Sequence, residues 1–248
     1  MVKRLLDNGA DAEQRDHRGQ TPLYLAAMND FAPIVKLLLD HGADPNIVSG
    51  SGKILLIYAI KMGRTEVVKF LLDGGADFRV TDSLEFSPLH LAARLEDKTI
   101  TQLLIDRGAD INSHEQFYTG DTPLHEAAET GRTDVAMILL DNGADIDARN
   151  RRRQTPLMRA CWLGKASVVD PLLERGADIE ARDDSGETPL MLACRQGQAD
   201  VAELLLERGA KGKPDDYKGI DFTVWMTHEA RSSILKLLAR YGFGGSDV

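Results

Sequence analysis

Residues 122–145 read TPLHEAAETGRTDVAMILLDNGAD, and its two ends, Thr122-Pro123-Leu124-His125 and Gly143-Ala144-Asp145, decide the fold. Thr before Pro is a helix N-cap followed by the residue best tolerated at the first helical position. The helix can run to Gly131, where a left-handed backbone costs glycine little. A second segment with apolar residues at helical spacing follows, and Gly143 stops it. Two such short helices cannot bury their apolar faces alone, so neighbouring copies must cover them.

Copies stand on both sides. Gly9, Gly42, Gly75, Gly108, Gly143, Gly176, Gly209 and Gly242 are 33 residues apart, except for 35 residues between Gly108 and Gly143. Six of them open a Gly-Ala-Asp triplet. Thr21-Pro22-Leu23, Ser87-Pro88-Leu89, Thr155-Pro156-Leu157 and Thr188-Pro189-Leu190 keep the same period as Thr122-Pro123-Leu124. Leu89, Ala92 and Ala93 place one large and two small apolar groups on the first helix, and the small ones let a second helix approach. Gly63, Gly131, Gly164 and Gly197 end first helices; Val67, Val68, Phe70, Leu71 and Leu72 typify a second.

A period of about 33 residues with a Thr-Pro-Leu-His start resembles the ankyrin repeat family over nearly the whole chain. The resemblance implies an all-α solenoid of stacked helix-turn-helix units joined by β-turn or hairpin fingers, curved so that it presents a groove. In register, residues 1–243 form one domain. It consists of a half repeat at 1–15, full repeats at 16–48, 49–81, 82–116, 117–149, 150–182 and 183–215, and a degenerate capping repeat at 216–243. Asp221 and Phe222 replace Thr-Pro in the capping repeat, while Ile234, Leu237 and Leu238 keep the second-helix register. His228, Glu229, Arg231 and Arg240 suit a face turned to water, and residues 244–248 read as a flexible tail.

Three departures carry expectations. Ile54-Leu55-Leu56-Ile57 stands where Thr-Pro-Leu-His belongs, which predicts a frayed or adjusted helix start. Pro171 lies inside a second helix and removes a backbone donor, which predicts a kink. Two extra residues around Glu115 and Gln116 lengthen the finger that carries Phe117 and Tyr118; this signals a binding loop or, equally, packing of Phe117 on a neighbouring finger.

Composition narrows the function classes. A formal net charge of −9 offers no overall basic field to nucleic acid or anionic lipid. No apolar run reaches the roughly 20 residues of a membrane helix. Cys161 and Cys194, one repeat apart, read as buried thiols in a reducing compartment, so the expected location is cytoplasmic. Arg151-Arg152-Arg153 offers nuclear import as a secondary reading. His125-Glu126 lacks the second histidine of a zinc-protease helix, and the chain has no phosphate-cradling glycine loop and no Cys-x-x-Cys pair. No cofactor, metal or catalytic residue is expected. The resemblance gives His90 and His125 inter-repeat hydrogen bonds, and Tyr24, Ile57, Met158 and Met191 stand at the same place without an imidazole.

Members of the family typically bind through fingertips and the exposed side of the first helices. By register that surface includes His17, Arg18, Leu84, Asp184 and Tyr217 on fingers, and Met28, Lys61, Met62, Arg94 and Glu129 on helices. Its chemically distinct part comprises Phe86, Leu95, Tyr118, Trp162 and Leu163 with Arg149, Arg151, Arg152, Arg182 and Arg195. Aromatic anchors with arginines are the composition of interface hot spots. The expected function is a protein-interaction module, monomeric, whose partner is a protein or peptide with acidic and apolar groups. The alternatives are a scaffold that binds or turns over a small anionic ligand at that patch, or a solvated arginine finger with Trp162 packed between repeats.

Overall fold

Pro22, Pro88, Pro123, Pro156 and Pro189 each supply the first residue of a helix, where the missing N–H leaves no bond unmade. The computed structural model describes residues 1–49, 52, 54–211 and 228–242. Tyr217, Asp221, Phe222 and the tail 244–248 therefore lie outside the described residues, as do the side chains of His228 and Glu229. The proline-started helices are α2 (Pro22–Met28), α6 (Pro88–Ala93), α8 (Pro123–Thr130), α10 (Pro156–Trp162) and α12 (Pro189–Arg195). With α4 (Leu55–Lys61) they form the first-helix set. Second helices are α3 (Ala32–Asp40), α5 (Thr65–Asp73), α7 (Thr99–Asp106), α9 (Thr133–Asp141), α11 (Ala166–Glu174) and α13 (Ala199–Glu207). Helices α1 (Val2–Asp7) and α14 (His228–Arg240) complete the described residues, which contain no strand and only one isolated bridge, Val48 to Ile54.

The chain divides into two compact units, Met1–Ile111 with Glu115–Phe117, and Asn112–His114 with Tyr118–Val248. In the first, α2, α4 and α6 stack in one layer and α1, α3, α5 and α7 in the other. In the second, α8, α10 and α12 face α9, α11 and α13, and α14 packs on α13. The core lies between the layers. Leu89, Ala92 and Ala93 are fully or almost fully buried, as are Leu124, Ala127 and Ala128 in the other unit. Ile234, Leu237 and Leu238 are buried on α14, and Arg231 and Arg240 are exposed.

Fingers are tight turns braced by one acidic or amide side chain. Asn150 Oδ1 accepts from the N–H groups of Arg152 (3.0 Å) and Gln154 (2.9 Å), and Asp16, Asp82 and Asp183 repeat the pattern. In the lengthened finger, the buried Glu115 carboxylate accepts from Phe117 N–H at 2.8 Å. Successive repeats are also joined beyond the second helix. Asp145 N–H donates to Asn112 Oδ1 (2.9 Å) and Asp178 N–H to Asp147 Oδ1 (3.0 Å); in the first unit Asp44 donates to Glu13 and Asp77 to Asn46.

Two departures resolve locally. Helix α4 starts in the ordinary register without a side-chain cap, because Leu55 N–H reaches Ile47 C=O (3.2 Å) and Leu55, Leu56, Ile57, Ala59 and Ile60 are buried. Helix α11 runs through Pro171 from Ala166 to Glu174. Proline at 171 cannot donate to Ser167 C=O, and the Thr133 hydroxyl of the neighbouring repeat donates to that carbonyl instead, at 3.0 Å. Cys161 and Cys194 are buried free thiols; burial raises both, Cys194 to about 12.

Candidate functional site

The arginine-rich finger of the second unit is built from its backbone outward. Asn150 N–H donates to Gln154 C=O (3.1 Å), closing a turn whose left-handed position falls on Arg153 at φ +57°. Gly19, Gly120 and Gly186 hold left-handed positions in other fingers, so Arg153 carries a conformational cost that glycine avoids. Arg149 bends back over this turn, donating to Arg153 C=O (2.7 Å) and to Arg182 C=O of the next repeat (2.8 Å). Arg182 in turn donates to Gly186 C=O at 2.8 Å. These two guanidinium groups brace fingers. Arg151 is exposed, its N–H bonded to Thr119 C=O (2.8 Å) and its Cγ close against Gly120. Arg152 is exposed and has no side-chain partner among the described residues, while its carbonyl accepts from Asp184 N–H at 3.0 Å.

Trp162 ends α10 half-buried, packed on Met158, Ala181 and Leu192. The Arg195 guanidinium lies 4.5 Å from its ring centroid, a cation–π contact, and also pairs with Glu187 Oε2 at 3.0 Å. Burial raises the Glu187 carboxyl above its ordinary range; Arg195 opposes that shift and Asp183 adds to it. Leu163 follows Trp162 and is 38% exposed. Between the fingers at 150–154 and 183–187 opens a cleft of about 450 Å³, lined by Arg152, Gln154, Arg159, Trp162, Asp183, Asp184, Ser185, Glu187 and Arg195.

The expected patch is thus brought together only in part. Arg152, Trp162 and Arg195 share this cleft. Phe86 and Leu95 belong to the first unit, and both are half-buried. Phe86 packs edge-on to the His90 ring (6.0 Å between centroids, 68°), so it is held by its own repeat. Tyr118 is 61% exposed and Phe117 64%, so Phe117 is not packed away. Arg159, Gln154, Asp183 and Glu187 were not expected in the site. Arg159 had a legible signal, since it occupies the register place of Leu25, Leu91 and Leu192; it pairs with Glu129 and approaches Asp121 Oδ2 at 3.9 Å.

His125 supplies the repeat-to-repeat bond. Thr122 N–H donates to Nδ1 (3.1 Å), which leaves the ring proton on Nε2 to donate to Gln154 C=O at 3.0 Å. Burial holds the imidazole well below its ordinary value, so it is neutral with both nitrogens engaged. His90 Nδ1 lies 2.7 Å from the Ser87 hydroxyl within its own repeat.

The model of the family described as ankyrin repeats matches three times, over residues 1–82, 89–183 and 151–216. The chain belongs to the ankyrin repeat family. No curated protein matches it in sequence. Ankyrin repeats generally mediate protein–protein interaction. No helix among the described residues is long and apolar enough to cross a membrane.

Proposed function

We propose that this ankyrin protein binds a peptide or protein segment through the cleft between the fingers at 150–154 and 183–187. The observation that supports it is the division of labour among the arginines. Arg149 and Arg182 are tied to backbone carbonyls, and Arg159 and Arg195 to carboxylates, whereas Arg152 stands exposed at the rim beside the Trp162 face. An acidic side chain of the partner meets Arg152, and an apolar one lies along Trp162 and the exposed Leu163. Asp183, Asp184 and Glu187 balance the cleft's three arginines, which favours a segment with one local carboxylate over a small, highly charged anion. Because the repeats pre-form this surface, little ordering entropy opposes binding.

The test is affinity capture from cell lysate with three baits, wild type, Arg152→Glu and Leu163→Ser, each with an unchanged circular-dichroism melt. Proteins held by wild type and lost by both variants carry the reading, and calorimetry on the purified partner then measures the loss. Equal retention by all three baits removes the cleft as the binding site.

A further inference from the structure

We infer that the first unit carries a separate, apolar side-chain pocket that takes one uncharged aliphatic side chain (Leu, Ile or Met) of a bound peptide. It rests on the family's protein-binding role and not on the Arg152 cleft. The pocket lies beside α4 and the finger that begins at Asp82, encloses about 430 Å³, and is lined by Ile54, Ile57, Tyr58 and Met62 with Lys61 and Asp82. That volume is within the usual range for a ligand pocket.

Three observations converge on this site. First, its walls are the residues by which the second repeat departs from its pattern. Ile54 stands in the place where Thr21 and Ser87 cap the other first helices of this unit with a side-chain oxygen, and Ile57 in the place of His90. Neither isoleucine offers the hydrogen bonds of the residue it replaces, and the helix start is held by Leu55 N–H on Ile47 C=O. Both isoleucines contribute apolar surface to the pocket instead. Second, the charges of the lining cancel. Lys61 Nζ pairs with Asp82 Oδ2 at 2.7 Å, and the Asp82 side chain is only 4% exposed. Lys61 and the Leu84 and Phe86 N–H groups hold that carboxylate below its ordinary range against the opposing effect of burial, so it stays ionised and paired. Because these two charges are paired with each other, the lining leaves neither of them to an incoming group, which favours an uncharged one. Third, Met62 is 52% exposed at the rim, an unbranched and adaptable side chain that can close over an inserted aliphatic group. The Tyr58 ring, 6.4 Å from Tyr24, is backed by the preceding repeat and forms a fixed wall.

Short randomised peptides displayed on phage provide the probe, selected on the immobilised full chain. Enriched peptides are then synthesised and titrated by fluorescence anisotropy against wild type, Met62→Asp, Met62→Lys and Arg152→Glu. Met62 is exposed, so both substitutions leave the fold intact, and a thermal melt verifies this. We expect peptides that share Leu, Ile or Met at one fixed place. Their affinity falls about ten-fold or more with either charge at position 62, the effect of failing to bury one aliphatic side chain. Arg152→Glu leaves it unchanged. Enrichment of nothing, absence of a fixed aliphatic place, or binding that survives Met62→Asp overturns the inference. So does a loss with Asp that Lys reverses, which would mark a charged ligand. Peptides lost only with Arg152→Glu overturn this pocket while upholding the cleft of the second unit.

Discussion

Replacing His125 by Ala and by Met separates what this buried imidazole does within its repeat from what it does between repeats. In His125→Ala, Thr122 N–H loses its acceptor in a fully buried place, which costs about 1–3 kcal/mol. The Nε2–H bond to Gln154 C=O contributes about 0.5–1.5 kcal/mol more, a modest amount because that carbonyl keeps Asn150 N–H at 3.1 Å. The vacated volume adds roughly 1–2 kcal/mol, for a total of about 2.5–6.5 kcal/mol. Met behaves differently, and the next repeat shows why. Met158 occupies the equivalent place, and its sulfur accepts from Thr155 N–H at 3.4 Å. His125→Met therefore keeps an acceptor for Thr122 and fills the space, losing only the inter-repeat bond, about 0.5–1.5 kcal/mol. Urea unfolding at pH 7.5, followed by both tryptophan fluorescence and far-UV circular dichroism, measures the difference; coincident curves license a two-state treatment. Acid supplies a second readout. The folded-state pKa of His125 lies below the unfolded value near 6.5, so the unfolded chain binds more protons between them. That difference removes stability as pH falls below about 6.5, and His125→Met abolishes this component. If Ala and Met cost the same, acceptance from Thr122 N–H is not what the imidazole contributes, and the reasoning fails.

Pro171→Leu should stabilise the protein by about 1–3 kcal/mol, since a restored N–H can reach Ser167 C=O. Thr133→Val should cost about 0.5–1.5 kcal/mol in wild type and less in Pro171→Leu; a double-mutant cycle in urea reads the coupling, and additivity would refute the shared carbonyl. Arg153→Gly should leave stability unchanged or raise it by up to about 1 kcal/mol, because relief of the left-handed backbone offsets the greater freedom of the unfolded chain. A larger loss in the same titration would show that the Arg153 side chain holds the finger. Cys161 and Cys194 should resist a thiol reagent at pH 8 and react fully in urea, because burial keeps both protonated; a rapid native reaction followed by absorbance would contradict their burial.

The helical frame was legible because the signals that start and stop each helix are local. Thr21, Ser87, Thr155 and Thr188 cap the helices they precede, and Gly131 ends α8 in the left-handed region. Small residues marked the core for the same reason, since Ala92, Ala127 and Cys161 admit a neighbouring helix only by being small. The site was less legible because its side chains answer to partners distant in sequence. Arg149, Arg151, Arg152 and Arg153 look alike as a run. Finger geometry gives Arg149 two carbonyls, presses Arg151 against Gly120, leaves Arg152 exposed and places Arg153 at positive φ. The edge-on contact of Phe86 with His90 was not legible, because it lies within the repeat at a spacing the repeat pattern does not mark. The weak start of the second repeat suggested a frayed or adjusted helix, and helix propensity alone does not reveal that Leu55, Leu56 and Ile57 are buried.

The amide-to-oxygen bonds that join successive repeats have a bearing on how such a chain changes its length. Asp145 donates its N–H to Asn112 behind it, and Asp147, two residues on, offers its own oxygen ahead to Asp178 N–H. The modules at 44–46, 145–147 and 178–180 therefore carry a plug and a socket of the same kind at a fixed interval, whereas Arg79 leaves its module without the socket. A gene duplication or deletion that respects this interval leaves matching ends, whatever the exposed faces of the modules contain. Recognition surfaces can then be shuffled, lengthened or discarded as whole cassettes without redesigning the seams.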